Sequence, residues 1–204
     1  MKIIRASSCR TTPWKNGGGA TTEIAAEPPG ASLDTFDWRV SMASVAVDGP
    51  FSTFPGIDRT LAVIGGKGLL LTIGGNAAVS LERGSSPISF NGDVSTSARL
   101  TDGEITDLNV MTRRGRFGHQ LRRIQTSMFC ELGGSDIAVV LSFNGSTTLT
   151  SEQDTARLDH ADAAILTGTR EGSFRIAPGG SSDCYLVLLH EYQATQPSDQ
   201  PGLS

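Results

Sequence analysis

The stretch Phe36–Ile64, with the sequence FDWRVSMASVAVDGPFSTFPGIDRTLAVI, is the most informative part of this 204-residue chain about its fold. It predicts a strand, a turn, a short irregular crossing and a second strand. Asp48-Gly49-Pro50 is expected to make the turn, because glycine accepts a positive φ and proline fixes its own φ. Two closely spaced strands with such a connection are typical of an antiparallel all-β protein.

Each of these two strands carries one arginine among apolar neighbours. Successive side chains of a strand point to opposite faces. Arg39 therefore shares its face with small and aliphatic residues, Ser41, Ala43 and Val45, and Arg59 shares its face with Leu61 and Val63. A solvated face would carry several charges. Two interpretations remain: the arginines cap strand ends in solvent, or they point into a pocket that holds an anion.

Composition describes a soluble globular protein of one large or two small domains. The net charge is −4 and no basic run occurs, which argues against nucleic acid as a partner. Three cysteines without a CxxC motif indicate free thiols in a reducing compartment. No signal peptide or apolar run of membrane-spanning length is apparent, so we expect a cytoplasmic location and no membrane partner.

Short strands alternate with glycine-rich turns along the rest of the chain, and helix should be scarce. The further strands that the pattern predicts are Lys2–Ala6, Ala20–Ala26, Leu69–Ile73, Val79–Glu82, Ile88–Phe90 and Glu104–Thr112. The polar segment 193–204 is expected to be a loosely held tail.

The second half of the chain repeats landmarks of the first half after a shift of 77 residues. The strand Leu61–Ile64 then falls on Ala138–Leu141, and Gly68, Thr72, Leu81 and Ile88 fall on Gly145, Leu149, Leu158 and Ile165. Matches in one register favour an internal duplication. We therefore predict an all-β fold of two stacked barrels or sandwiches, which avoid exposed sheet edges, over residues 1–115 and 116–192.

Metal and nucleophile motifs are missing from the sequence. The three histidines, His119, His160 and His190, form no HxH pair, and we interpret His119 as part of a linker. A zinc or iron site needs three or four converging ligands. No GxSxG motif occurs either. The sequence thus predicts no metal, no cofactor and no catalytic residue.

The segment Trp14–Gly19, WKNGGG, has two interpretations of equal weight. Successive glycines can aim backbone N–H groups at an anion, to which Lys15 would add charge. Alternatively, the segment is a turn that lets Trp14 pack on the mouth of the barrel. It lacks the spacing of a nucleotide-binding P-loop.

The strand that begins at Asp107 places chemically useful side chains on one face, namely Asp107, Asn109, Met111 and Arg113. A cation, an amide and a soft apolar contact suit a small ligand with carboxylate and amide-like groups. The alternative is an exposed strand at a domain boundary, with Arg113 and Arg114 in solvent.

Three blocks of the sequence resemble the HutD/Ves family in order and spacing. They are PWKNGGGATTEI (13–24), FDWRVSMASVAVDGPFSTFPGIDR (36–59) and DLNVMTRRG (107–115), within a resemblance that spans residues 1 to about 190. The resemblance implies a bicupin, two cupin barrels without the metal-binding histidines. It also implies a link to histidine utilisation, where members are thought to moderate the pathway by sensing a small intermediate.

The resemblance also adds residues to the expected site. The family's motif positions correspond here to Trp14, Asn16, Glu23, Trp38, Arg39, Ser41, Phe51, Ser52, Arg59, Asn109 and Met111. Combined with the strand faces, these give the expected ligand-binding set of Trp14, Asn16, Arg39, Ser41, Phe51, Ser52, Arg59, Asn109, Met111 and Arg113. Arg39 and Arg59 are expected to hold a carboxylate, and Phe51 and Met111 to form apolar walls.

The leading hypothesis is a binding protein for a small carboxylate, such as urocanate or an acyl-glutamate, that senses the intermediate and moderates the pathway. Arg–carboxylate pairs give strong, directional binding. The alternatives are a metal-independent cupin-type enzyme that uses Glu23 or Asp107, and a stress-related protein without a small ligand. The sequence is compatible with a homodimer.

Overall fold

The computed structural model describes residues 1–133, 136–180 and 182–192, and the expected tail 193–204 lies outside these ranges. The strands up to residue 113 are β1 (Lys2–Ile4), β2 (Arg10–Pro13), β3 (Gly19–Glu27), β4 (Trp38–Val45), β5 (Gly49–Pro50), β6 (Ile57–Gly65), β7 (Gly68–Ile73), β8 (Val79–Glu82), β9 (Ile88–Asn91), β10 (Thr96–Leu100) and β11 (Ile105–Arg113). The later strands are β12 (Phe117–Ile124), β13 (Met128–Glu131), β14 (Asp136–Phe143), β15 (Thr147–Ser151), β16 (Thr155–Leu158), β17 (Ala163–Thr167), β18 (Ser173–Pro178) and β19 (Asp183–Glu191).

Helix is scarce, as the sequence predicted. The described part of the chain contains one four-residue helix, α1 (Gly168–Glu171), and a 3-10 turn at Ala6–Ser8. No helix among these residues is both long and apolar enough to cross a membrane. Cys9, Cys130 and Cys184 are free, and the last two are buried.

The strands form four sheets in two halves. The first half has an inner sheet of order β2-β3-β4-β11-β6-β9 and an outer sheet of order β5-β10-β7-β8. The second half has an inner sheet of order β1-β17-β14-β19-β12 and an outer sheet of order β13-β18-β15-β16. Each half of the described chain is thus a pair of sheets, not one continuously hydrogen-bonded barrel.

The two halves share the same order over four strands of each sheet. In the inner sheets, β4-β11-β6-β9 corresponds to β12-β19-β14-β17, and in the outer sheets, β5-β10-β7-β8 corresponds to β13-β18-β15-β16. Gly68 and Gly145, which the 77-residue shift superimposes, both have a large positive φ, at 142° and 150°. The N-terminal strand β1 is an exception to this division, because it pairs with β17 of the second half.

Three large apolar cores hold the four sheets together, and Phe36, Ile57 and Met111 form a fourth, smaller cluster. The core of the first half lies between its inner and outer sheets and contains Leu61, Leu69 and Leu71. The core of the second half is equally apolar, with Ala138, Leu149 and Leu166. The third core lies between the inner sheets, which contribute residues such as Trp38 and Val187. The two faces of β4 therefore point to different cores, as strand alternation predicted.

The expected turn at Asp48-Gly49-Pro50 is wrong. Gly49 and Pro50 form the short strand β5, which pairs with Ala98 and Ser97 of β10. The Asp48 carboxylate accepts a hydrogen bond from the backbone N–H of Leu100 at 2.7 Å. The segment thus carries the chain from the inner to the outer sheet, because a partner strand is available there to satisfy its backbone.

Candidate functional site

The strand registers bring the two arginines close together on one face of the inner sheet. Met111 of β11 lies between Arg39 of β4 and Arg59 of β6. One row further along, Asn109 lies between Ser41 and Leu61. This face is turned toward the core of the first half and away from the second half.

Arg39 is held in place by its neighbours on β3 and β4. Its Nε donates to Glu23 Oε2 at 2.8 Å, and its Nη1 donates to Ser41 Oγ at 3.1 Å. The Arg39 side chain is 11% exposed and the Glu23 side chain 37%. This ion pair marks where the polar cluster reaches solvent.

Arg59 lies deeper, in a cage of aromatic rings. The residue is 5% exposed. Its guanidinium carbon lies 5.4, 5.3 and 5.2 Å from the ring centroids of Phe51, Phe54 and Phe90. Nη1 donates to the Ser52 carbonyl at 3.2 Å, but the buried Nε has no hydrogen-bond partner.

The charge of Arg59 is poorly compensated. No carboxylate oxygen among the described residues lies within 4.0 Å of a guanidinium nitrogen of Arg59, the distance that defines an ion pair. Burial lowers the pKa of Arg59 to about 10, while the negative charge of Asp107 opposes this shift and the charge of Arg39 adds to it. The guanidinium therefore stays protonated at neutral pH without a close counter-ion.

Two buried oxygen atoms on β11 also lack partners. They are Oδ1 of Asp107 and Oδ1 of Asn109. Burial raises the pKa of the Asp107 carboxyl to about 7, although the charge of Arg59 acts in the opposite direction. Buried polar groups are normally hydrogen-bonded, so three unpartnered atoms in one cluster point to a missing partner.

Among the described residues, the corresponding face of the second half has no such cluster. In the first half, Asn109 lies between Ser41 and Leu61. At the corresponding position of the second half, Leu188 lies between Gln120 and Ala138. Leu186 and Cys184 follow on the same face and join the apolar core. The polar arrangement is therefore a feature of the first half and is not required by the fold.

Most of the expected site residues come together. Arg39, Ser41, Arg59, Asn109 and Met111 share the face, Phe51 stacks on Arg59, and Ser52 takes part through its carbonyl oxygen. Trp14 packs at the edge of the same core, and its Nε1 donates to Thr21 Oγ1 at 2.8 Å.

Two expected residues have other partners. Arg113 donates from Nε and Nη2 to the carbonyl of Phe36, at 3.0 and 2.8 Å. Arg113 therefore ties the end of β11 to the loop that precedes β4. Asn16 is exposed, and its Oδ1 accepts from the N–H of Gly18 at 3.1 Å. This bond occupies part of the glycine-rich segment, whose Gly17 N–H donates to the Trp14 carbonyl at 3.0 Å.

Three further residues were absent from the expected set. Phe54 and Phe90 complete the cage, and Asp107 lies on the same face as Asn109. Phe51 and Phe54 lie shortly before Arg59 in the sequence, and this proximity could have indicated that both rings contact the arginine. Phe90 depends on the pairing of β9 with β6, where it lies opposite Arg59.

The three histidines have separate environments. The expectation that His119 is part of a linker is wrong, because His119 belongs to β12. Its Nε2 lies 2.8 Å from Thr60 Oγ1, and its Nδ1 lies 2.7 Å from Thr112 Oγ1. Burial lowers its pKa to about 4. His160 accepts from the Asn144 N–H at 3.0 Å, and His190 lies 2.7 Å from Asp136. Within the described ranges, no three metal-binding side chains converge.

Two recesses lie elsewhere on the molecule. One, of about 690 Å³, opens beside Arg5, Arg157 and Asp162. The other, of about 360 Å³, lies between the halves and is lined by residues that include Glu23 and Trp38. Neither of them is lined by Arg59 or Asn109. The candidate site is therefore defined by its unpartnered polar atoms. Glu23 belongs to both regions, because it pairs with Arg39 of the site and also lines the second recess.

Comparison with known proteins gives the family of this chain. The model of the HutD family matches residues 6–184. Protein Ves of Citrobacter koseri is 42% identical over 110 residues, 53% of this chain and 56% of that protein. A 21.2 kDa protein from the hutC 3′ region of Pseudomonas putida is 35% identical over 122 residues, 60% of this chain and 63% of that protein. The chain thus covers between half and two thirds of these relatives.

Solved structures agree with this result. HutD from Pseudomonas fluorescens SBW25, in a formate condition, has a TM-score of 0.81 at 29% identity, covering 94% of this chain and 99% of that one. A cupin 2 conserved barrel domain protein from Leptotrichia buccalis has a TM-score of 0.55 at 11% identity, covering 93% and 96%. The second likeness shows only that the fold is cupin-like.

Proposed function

This chain belongs to the HutD family, and we propose that it is a binding protein whose first half holds a small carboxylic acid at Arg59. The observation that carries the proposal is the state of this guanidinium. It is buried and stacked on three phenylalanine rings, and it has a free Nε and no ion pair within the described residues.

A bound carboxylate would supply what Arg59 lacks. Removing a charge from water is costly unless a partner compensates it. An arginine binds a carboxylate through parallel N–H···O bonds, which gives both affinity and direction. The phenylalanine cage supports the proposal, because cation–π contacts hold the guanidinium plane in a fixed place.

The neighbours of Arg59 indicate a ligand with a second polar group. Asn109 offers a buried acceptor oxygen without a partner, which suits an N–H or O–H donor of the ligand. Glu23 already occupies Arg39. We therefore assign the carboxylate first to Arg59 and treat Arg39 as a second contact, reached when the acid displaces Glu23.

The family supports a proposal for the role of this binding in the cell. One relative comes from a hutC 3′ region, which supports a link to histidine utilisation. Acids such as urocanate or an acyl-glutamate would be the ligands, and sensing one of them would moderate the pathway. The equal strand order of the halves supports the further proposal of a bicupin that arose by duplication.

The test is a thermal-shift screen with formate, glutarate, urocanate and N-acetylglutamate, followed by calorimetric titration of the acids that stabilise the protein. Arg59→Met keeps the apolar stem and removes the charge. Because charge-assisted hydrogen bonds contribute roughly 1.5–3 kcal/mol each, affinity should fall at least about tenfold.

The matched control is Arg175→Met in the second half. Arg175 also lies over a phenylalanine ring, 5.8 Å from the centroid of Phe129, but it is exposed. The control should bind the acid like the wild type. Failure of every acid to stabilise the wild type, or equal binding by Arg59→Met, would refute the proposed site.

One observation favours a second candidate function, a metal-independent enzyme. Asp107 is buried on the same face as Asn109, and this burial raises the pKa of its carboxyl to about 7, which suits a general acid or base at neutral pH. Any acid that binds should therefore be incubated with the protein and followed by proton NMR. Turnover that is lost in Asp107→Asn, while binding persists, would favour the enzyme.

A further inference from the structure

Asp107 carries a buried carboxyl group that carboxylate binding at Arg59 does not by itself explain. The residue is 2% exposed and its Oδ1 has no hydrogen-bond partner. Its strand neighbours in the row are Ala43 and Val63, neither of which can pair with it. A buried carboxyl in such surroundings is stabilised by keeping its proton.

The charged groups that share this face are few. Among the described residues they are Arg59 from β6, Arg39 from β4, Glu23 from β3 and Arg113 at the end of β11, and of these Arg59 is the one whose charge acts on Asp107. The outer sheet contributes apolar residues to this core, namely Leu69, Leu71, Leu81 and Ala98, and the buried but uncharged Thr96, whose hydroxyl donates to the Val94 carbonyl. The ionised form of Asp107 therefore depends on the positive field of Arg59.

We propose that Asp107 couples carboxylate binding at Arg59 to the uptake of one proton, an inference that rests on the proposed function. The negative charge of the bound acid offsets the positive field of Arg59 at Asp107. This effect favours the protonated carboxyl. In the balanced step, the ligand anion, the Asp107 carboxylate and one proton from water give a complex with a neutral Asp107.

This coupling predicts a definite dependence of affinity on pH. Burial raises the pKa of Asp107 to about 7 in the free protein, so below that pH the carboxyl is already neutral and affinity is constant. Above that pH a proton must bind with the acid. Affinity then falls by up to about tenfold per pH unit, and a rise in pH releases the ligand.

The decisive experiment is calorimetric titration with N-acetylglutamate between pH 6 and 9, because neither of its carboxyl groups titrates there. Repeating each titration in two buffers of different ionisation enthalpy gives the number of protons taken up. We expect close to one proton per acid at pH 8 for the wild type. Asp107→Asn should take up none and should bind at pH 8 as tightly as the wild type binds at pH 6.

Asp102→Asn is the matched control, because Asp102 is an exposed carboxylate of the same half, paired with Lys67. It should keep the proton uptake of the wild type. The two-buffer measurement on the wild type decides the question even if Asp107→Asn does not fold. Asp107→Leu, which introduces the residue found at the corresponding position 186, is the second variant.

The outcomes separate this inference from the proposed function. Binding without proton uptake overturns the inference and leaves the carboxylate site intact. Loss of binding in a folded Asp107→Asn also overturns it, because the ionised carboxylate would then be needed by the ligand. If no carboxylate of the screen binds at any pH, the proposed function fails and the coupling fails with it.

Discussion

Arg59 and Asp107 face the same apolar core from adjacent strands and form no ion pair, although an ionised Asp107 would carry the charge opposite to that of Arg59. Their charged atoms do not come within 4.0 Å of each other, and Arg59 Nε and Asp107 Oδ1 are both buried without partners. A protein that used this pair for stability would bring the groups into contact. The separation instead leaves the Arg59 charge available for an anion from outside.

Arg113 is expected to matter for stability and not for binding. Its side chain donates to the Phe36 carbonyl and to the Asp34 carbonyl, the latter at 2.9 Å. Arg113→Met should lower the free energy of unfolding by about 1–3 kcal/mol, since the Phe36 carbonyl loses its donors. Urea unfolding measures this change. A weakened affinity for the acid in a folded Arg113→Met would return this residue to the site.

Glu23 is expected to compete with the ligand. Its carboxylate accepts from Arg39 Nε, and its side chain is 37% exposed. An ion pair this exposed contributes at most about 1 kcal/mol, so Glu23→Gln should tighten acid binding by roughly fivefold while the fold is kept. Calorimetric titration at pH 6, where Asp107 is neutral, isolates the effect. Weaker binding by Glu23→Gln would show that Glu23 contacts the ligand as a partner.

His119 should make the protein sensitive to mild acid. Burial between the halves lowers its pKa from 6.5 to about 4, with the charge of Asp58 opposing the shift. Unfolding therefore takes up a proton between these values, and stability falls as the pH drops through this window. The loss contributed by His119 is roughly 3 kcal/mol.

The measurement for His119 is a comparison of thermal melts between pH 7 and 4. His119→Gln can still hydrogen-bond to Thr60 and Thr112, but it does not titrate. Its stability should fall less steeply with acid than that of the wild type. Parallel pH profiles for the two proteins would show that His119 accepts a proton as readily in the folded state as in the unfolded state.

Strand alternation predicted the faces of the site well. Arg39, Ser41, Asn109 and Met111 could be placed on one surface because the period of a strand is fixed and the strands are long. The pairing of β4, β11 and β6 then brought the arginines to either side of Met111. Local pattern was sufficient wherever a residue lies inside a regular strand.

Residues at strand ends and in crossings could not be placed in this way. Arg113 was correctly assigned to the face that carries Asn109 and Met111. However, the loop that precedes β4 brings the Phe36 carbonyl close enough to accept hydrogen bonds from the Arg113 side chain. Gly49 and Pro50 look like a turn until β10 supplies a partner. Phe54 enters the cage from an irregular segment. These positions depend on contacts between distant parts of the chain.

The Arg59 Nε–H group can be followed by NMR in protein labelled with ¹⁵N-arginine, with its signal assigned by its absence in Arg59→Met. This group has no hydrogen-bond partner in the structure. We predict that its resonance shifts in proportion to occupancy as N-acetylglutamate is added, while that of exposed Arg175 stays unchanged. Saturable binding of the acid with an unmoved Arg59 signal would contradict the central claim that Arg59 holds the carboxylate.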